Sequence, residues 1–382
     1  MDHVKVLHCA DLHLGAELSS LGNLARERRQ ELLSTFIKIT SICRNEQVDF
    51  LLIAGDLFEG SNIDINTVRT VKATLASIPD TIVAISPGNH DYMAIDSPYA
   101  DSDWSGNVHI FKSDKEIIDF EEKNVCLWGS AFRSTYVTSP LLESIHATDK
   151  NRINICVMHG DLVSNYQLSN YNPVSPLHIR YTGMDYIALG HIHKSSGVMN
   201  IGSTWYAYPG CPEGMGFDEL DDKGILIGNV YKGSVDLEFR PVCSRRNIEL
   251  KVDITSAKSD VEVADIIRYD LMKTYGDSYR DNLYKVILEG ALDEDYVPDV
   301  SSIGARLKGD AYYLKVRDNT HVRLDLEALA RETSLKGIFV RMMLEKIAGY
   351  DAKDNTEKAE KYRKAMYIGI KAFENEVPLN DY

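Results

Sequence analysis

The chain has no run of about 18 consecutive apolar residues, so nothing in its 382 residues reads as a membrane span. It has no Cys-x-x-Cys pair either. The six cysteines, Cys9, Cys43, Cys126, Cys156, Cys211 and Cys243, stand apart, several of them inside apolar runs. That pattern argues against a disulfide frame and reads as reduced core thiols of a cytoplasmic protein. The opening residues Met1-Asp2-His3-Val4-Lys5 lack the basic-then-apolar order of a signal peptide and run straight into a strand. Positive charge is in short supply: 42 Lys and Arg face 57 Asp and Glu, a formal net charge of -15. Phosphate contacts need positive surface. A nucleic-acid substrate would therefore rest on a particular site, on bound cations, or on a partner's basic surface. Internal repeats and low-complexity segments are absent as well.

The chain does have enough apolar residues, 44%, for one large domain and one or two smaller ones. Residues 4–8 read as a first strand, 23–46 as a helix, 48–54 as a continuous apolar strand, 64–78 as a helix and 81–85 as a third strand. That alternation predicts a sheet with helical crossovers. Further strands are expected at 125–128, 153–158 and 186–189, with a hairpin at 225–239. The fold class is α/β: a two-sheet sandwich over residues 1–240. A small α+β unit over 241–320 and an all-helical segment over 321–382 follow it. In the last segment Leu335, Ile338, Phe339, Met342, Met343 and Ile347 share one apolar helix face. Ala359, Tyr362, Met366, Ile370 and Phe373 share another. These stripes either pack on each other and on the rest of the chain or dock a partner helix.

The residues that carry chemistry fall at strand ends. Gly190-His191-Ile192-His193 follows an apolar run, and its two histidines, two apart in extended backbone, point the same way. Upstream, Asp11-Leu12-His13, Gly55-Asp56, Gly88-Asn89-His90-Asp91 and His159-Gly160 each follow a strand-like run, where open α/β sheets place their sites. Asp11, His13, Asp56, Asn89, His159, His191 and His193 are the candidate metal ligands. Carboxylate, amide and imidazole donors suit Mn²⁺, Fe²⁺ or related ions better than a closed zinc site. Asp56 is the natural bridge between two ions. Two ions about 3.5–4 Å apart can share a hydroxide nucleophile and clamp a phosphate oxygen. His90 would stabilise the phosphoryl charge or protonate the leaving oxygen, and Asp91 would orient it. His8 is a candidate supporting residue. His109, His146, His178 and His321 are given no ligand role.

Asp-Leu-His-Leu-Gly (11–15), Gly-Asp-Leu-Phe (55–58), Gly-Asn-His-Asp (88–91), His-Gly (159–160) and Gly-His-Ile-His (190–193) resemble the five signatures of calcineurin-like metallophosphoesterases. The first two, with Tyr208-Pro209-Gly210, Phe217 and Glu219, are similar to the SbcD-type DNA-repair exonuclease branch. Residues 334–339 and the helices after them resemble its bacterial YhaO-like members. The resemblance implies a metallophosphoesterase domain, a capping domain over 241–320 and a partner-docking helical segment. Asp11, His13, Asp56 and His193 would hold one metal; Asp56, Asn89, His159 and His191 would hold the other. His90 would be the catalytic histidine. The implied activity is Mn²⁺-dependent hydrolysis of DNA phosphodiesters, as exonuclease and in some members endonuclease. The implied partners are DNA, an SMC-like ATPase of the SbcC kind and a second copy of the chain. Where many relatives carry a histidine or aspartate that helps exonuclease action, this chain has Glu59. A phosphoesterase acting on a small nucleotide and a binding subunit with a vestigial site are the rival readings.

Overall fold

The computed structural model describes residues 3–60, 63–164, 169–293, 295–323, 325–352 and 355–373. Side chains on the first strand, β1 (His3–Cys9), alternate with period two. Val4 and Val6 face one core, and Leu7 and Cys9 the opposite one. The next elements are α1 (Ala25–Asn45), β2 (Phe50–Ile53), α2 (Ile65–Ala76), β3 (Ile82–Ile85) and β4 (Val108–Ile110). Asp64 starts α2: its side chain accepts from the backbone N–H groups of Asn66 and Thr67, in the first turn, where a helix supplies no i−4 acceptor of its own. Then come β5 (Glu116–Phe120), β6 (Val125–Gly129), β7 (Ile153–His159), the short pair β8 (Asp161–Leu162) and β9 (Pro173–Val174), and α3 (Pro176–Thr182). The strands β10 (Tyr186–Gly190), β11 (Met199–Ile201), β12 (Thr204–Ala207), β13 (Gly224–Tyr231) and β14 (Ser234–Pro241) follow.

These strands make two six-stranded sheets, ordered β14-β13-β1-β2-β3-β4 and β11-β12-β10-β7-β6-β5. The segment from β1 to β4 is parallel, as are β6, β7, β10 and β12; β13, β14, β5 and β11 join antiparallel at the flanks. The inner strands are buried on both faces, which is why 50–53, 153–159 and 186–190 read as unbroken apolar runs. Val4, Val6, Phe50 and Leu52 meet Val125, Ile155, Val157 and Ala188 between the sheets. Outside the first sheet, Leu51 and Ile53 pack on Leu32, Phe36 and Ile39 of α1 and on Val71 and Leu75 of α2. Outside the second, Cys156, Met158 and Ile187 pack on Ile179 of α3 and on Leu142. The α/β sandwich expected from the sequence is the fold. The edge strands β4, β5 and β11, short and partly exposed, and the four-residue inner strand β12 were not legible.

After the sandwich come β15 (Asn247–Asp253), α4 (Asp260–Tyr275), β16 (Leu283–Glu289), β17 (Ala291–Leu292), α5 (Val300–Arg306), β18 (Tyr313–Asp318) and β19 (His321–Val322). The helices α6 (Leu326–Arg331), α7 (Leu335–Asp351) and α8 (Thr356–Phe373) follow. The chain divides into two compact units, one holding Met1–Leu250, Tyr275–Lys285 and Gly309–Lys315, the other Lys251–Thr274, Val286–Lys308 and Val316–Tyr382. In the second, Val340 and Ile347 of α7 and Ala359, Met366 and Ile370 of α8 form a small core, with Phe339 and Met343 packed against it. The expected α7 stripe therefore splits. Leu335, Ile338 and Met342, spaced three and four apart, remain 70%, 42% and 56% exposed. No helix among the described residues is long and apolar enough to cross a membrane.

Candidate metal centre

The two sheets pinch together at the carboxyl ends of their parallel strands. Ala10 follows β1, Ala54 follows β2, and Gly190 ends β10. A Cβ on Gly190 would stand 1.8 Å from the Ala54 carbonyl oxygen and 2.8 Å from the Ala10 Cβ. Only glycine fits there, and the close approach gathers the loops of both sheets. The loops after β1 and β2 are then stitched backbone to backbone: Asp11 N–H donates to Gly55 O (3.0 Å), His13 N–H to Asp56 O (2.9 Å) and Leu14 N–H to Leu57 O (2.9 Å). Asp11, His13 and Asp56 adopt φ of 54°, 47° and 50°, and His191 adopts 108°. Such backbone costs a non-glycine residue about 1–3 kcal/mol and persists where surrounding structure over-determines it. Four of the seven candidate ligands carry that strain.

All seven converge. His159 Nε2 lies 2.9 Å from Asn89 Oδ1 and 3.3 Å from Asp56 Oδ2. His191 Nδ1 lies 3.2 Å from the same Asn89 oxygen. His13 Nε2 faces His193 Nε2 at 3.1 Å and Asp56 Oδ2 at 3.9 Å. The Asp11 carboxylate accepts from His191 N–H at 3.0 Å and sits 3.9 Å from His159 Nδ1. Asp11, His13 and His193, and Asp11, Asp56 and His159, form two overlapping groups whose donor atoms could each hold an ion.

The outer partners decide which nitrogens offer lone pairs. His13 Nδ1 is hydrogen-bonded to Glu59 Oε2 at 2.7 Å, His193 Nδ1 to Glu219, and His159 Nδ1 to the Ala54 carbonyl at 2.9 Å. In a neutral imidazole whose Nδ1–H is committed to an acceptor, Nε2 carries the lone pair. His13 and His193 thus aim lone pairs at each other, and His159 aims one at two oxygens. A cation between them turns this repulsion into coordination, so the donor set fits hard or borderline divalent ions. Without one, protons stand in. Burial disfavours a charged His159, but Asp56 and Asp11 outweigh it and raise its pKa to about 9. Burial likewise opposes charge on Asp56, yet His159, His13 and His90 hold it well below the usual carboxylate range. His191 is pushed down to about 4 by burial and by His159. Cys211 lies beside His193 and Glu219, but burial and Glu219 push its thiol up, and it donates to the His193 carbonyl.

His90 sits at the rim, its ring 41% exposed and 4.8 Å from that of His13. Its backbone N–H donates to Asp56 Oδ1 at 2.9 Å. Asp91 is occupied elsewhere: its carboxylate accepts from Gly88, Leu57 and Phe58 N–H and from the Tyr99 hydroxyl, clamping the loops that carry Asp56 and Asn89. The carboxylate paired with His90 Nδ1 is Glu59, at 3.6 Å. His8 is buried between the sheets, with Nδ1 2.8 Å from the Tyr186 hydroxyl. His178 caps α3. The sequence pointed to Glu59 and Glu219 only through the resemblance, not as partners of these histidines, and to Asn172 not at all. Glu219 and Glu59 lie 26 and 46 residues from the histidines they hold. Asn172 donates to the His159 carbonyl at 2.7 Å and accepts from Leu141 N–H at 2.8 Å. No local spacing announces such pairs.

Comparison with known proteins gives the same region a family. The model for "Calcineurin-like phosphoesterase" matches residues 4–195, half of the chain. The metallophosphoesterase YhaO of Bacillus subtilis is 27% identical over 264 residues, 66% of this chain and 64% of that protein, just under two thirds of its length. The DNA double-strand break repair protein Mre11 of Methanopyrus kandleri is 25% identical over 360 residues, covering 86% and 76%. The SbcD component of the SbcCD nuclease of Staphylococcus saprophyticus is 24% identical over 284 residues, covering 65% and 71%. Matched over half its length by that model, with YhaO, Mre11 and SbcD among its homologues, this chain belongs to the calcineurin-like phosphoesterase family.

Proposed function

We propose that the chain is a Mn²⁺-dependent DNA nuclease that hydrolyses phosphodiester bonds at a site for two cations. The observation that carries this reading is the convergence of seven carboxylate, amide and imidazole donors on one spot, with donor atoms about 3–4 Å apart. Asp11, His13, Asp56 and His193 would hold one ion, and Asp56, Asn89, His159 and His191 the other. When bound, the pair of ions would polarise the phosphate, lower the pKa of water and offset developing charge. Manganese suits the mixture of oxygen and imidazole donors, and burial and Glu219 push up the thiol of Cys211, beside His193.

The chain's own residues supply the rest. His90 turns Nδ1 toward Glu59, so Nε2 is the nitrogen that meets the substrate. The Glu59 pairing, against the pull of partial burial, raises the His90 pKa to about 9, so it arrives protonated and can deliver that proton to the leaving oxygen. Asp91 keeps the two loops in register. The bound cations would also answer the charge problem, offering positive potential in a chain of net charge -15.

DNA is favoured as substrate by the relatives named as a repair protein and a nuclease component. We assign 1–240 to the nuclease domain, 241–320 to a cap and 321–382 to partner docking. The exposed Leu335, Ile338 and Met342 stripe would take an SMC-like ATPase of the SbcC type, in a cytoplasmic DNA-repair assembly, with a homodimer as a further expected contact. The acidic charge favours a second reading, hydrolysis of a small nucleotide or phosphoester. One assay separates them: purified protein with Mn²⁺ is given end-labelled linear duplex, linear and circular single-stranded DNA, and a small phosphodiester. Shortening of linear DNA supports the exonuclease reading, and cut circles add endonuclease action. Turnover of the small ester alone, unchanged by the ATPase partner, overturns the DNA reading.

A further inference from the structure

Glu59 stands one residue beyond Gly-Asp-Leu-Phe, in a loop whose position is fixed. Its N–H donates to Leu14 O at 3.1 Å, and Phe58 pairs with Leu14 across a parallel bridge. The stitched loops after β1 and β2 therefore set where the Glu59 side chain begins. From there its two oxygens part company: Oε2 lies 2.7 Å from His13 Nδ1, and Oε1 lies 3.6 Å from His90 Nδ1. The two imidazoles stand edge to face, 4.8 Å between centroids.

Glu219 makes a useful contrast. It too backs a candidate ligand, His193, but its second oxygen accepts from the Met215 N–H at 2.6 Å, so it serves one histidine only. His159 is backed by a backbone carbonyl. Among these three acceptors, Glu59 alone touches both a candidate ligand and the exposed histidine at the rim. A carboxylate on Nδ1 fixes the tautomer and orientation of an imidazole and strengthens Nε2 as a donor. One carboxylate doing this for two rings ties their orientations together.

We propose that Glu59 is a positioning residue that holds His13 and His90 at once, so that cation affinity at His13 and the aim of His90 at the substrate depend on one carboxylate. The proposal rests on the two-cation reading above. Neither shortened nor amide versions can keep both contacts. Aspartate lacks a methylene of reach. Glutamine offers one acceptor oxygen and one NH₂, which suits only one N–H donor.

The test uses the full chain, wild type and the variants Glu59→Gln, Glu59→Asp and Glu59→Ala. Glu59 is 37% exposed at its side chain, so these variants should fold, which thermal unfolding checks. The first readout needs no metal: ¹⁵N NMR of the histidine rings, with His13→Ala and His90→Ala spectra to assign them. Wild type should show His13 protonated at Nδ1, and Glu59→Ala should lose that preference and shift the His90 signals. The second is Mn²⁺ affinity by titration calorimetry, expected to fall about 10- to 100-fold in Glu59→Ala. The third is kcat, expected to fall beyond what saturating Mn²⁺ restores, with Glu59→Gln between wild type and alanine. Unchanged His13 and His90 signals with unchanged Mn²⁺ affinity in Glu59→Ala would overturn the proposal and leave the two-cation reading standing. A wild-type chain that binds no Mn²⁺ would overturn both.

Discussion

His90 and Asp56 share one backbone hydrogen bond but have opposite surroundings. Asp56 is sealed among imidazoles, whereas the His90 ring reaches solvent. Removing the His90 ring should therefore spare the cation site. His90→Ala is expected to lower kcat by about 10²- to 10⁴-fold, the usual range for a lost general acid. Mn²⁺ stoichiometry, measured alongside, should stay at the wild-type value. A parallel loss of metal would make His90 part of the cage.

His8 supports a different prediction. It lies between the sheets, and burial lowers its pKa to about 3, partly offset by a backbone hydrogen bond involving Leu189. The unfolded chain titrates near 6.5. Between those values the unfolded state binds more protons, so His8 adds stability above pH 6.5 that is lost as pH falls toward 3. The full effect is roughly 4–5 kcal/mol. Urea unfolding of wild type and His8→Phe from pH 4 to 8 should show wild type losing more stability than the variant as pH falls. Parallel curves would mean that His8 is not buried neutral.

At the scale of elements, the pinch between β1, β2 and β10 is what makes a site from two sheets. Gly190→Ala would drive a methyl into the Ala54 carbonyl. It should cost at least about 3 kcal/mol, at the severe end for overpacking, and weaken Mn²⁺ binding because His191 follows directly. Gly106→Ala, with nothing within 4 Å of the new carbon, should change stability by about 0.5 kcal/mol or less. Chemical denaturation of the two variants compares them directly. An equal effect would remove the pinch as the cause.

The inner strands and α1 and α2 could be read from sequence, since continuous burial and helical periodicity are local patterns. Asp11, Asp56 and Asn89, just beyond such strands, and His159, at the end of one, were legible as candidates for that reason. The pinch itself was hidden. Ala10, Ala54 and Gly190 lie far apart in sequence, and nothing in a small residue declares that another backbone will cross it. For the same reason Asp91, adjacent to His90, read as its partner. The fold instead turns its carboxylate onto four donors of two loops and brings Glu59 across. Adjacency in sequence was a poor guide where the backbone turns at every residue.

For the whole molecule, the α7 stripe divides into residues used internally and residues left outside. Phe339, Met343 and Ile347 pack toward α8, while Leu335, Ile338 and Met342 do not. Met342→Glu should leave the unfolding free energy nearly unchanged, within about 0.5 kcal/mol. Co-elution with an SMC-like ATPase should be lost. Val340→Glu, at a fully buried position, should unfold the helical segment. Undiminished partner binding by Met342→Glu would move the docking surface elsewhere. On the proposed reading, bound cations bring positive charge to a chain of net charge -15, so hydrolysis of DNA should be lost when Mn²⁺ is removed by chelation.

On the proposed reading, Asp56 joins two cation positions into one centre. Equilibrium dialysis followed by elemental analysis counts Mn²⁺ per chain directly. Wild type should hold two ions, and Asp56→Asn should hold fewer than one, because the bridging carboxylate serves both. Two ions retained by Asp56→Asn, or none bound by the wild type, would contradict the shared centre.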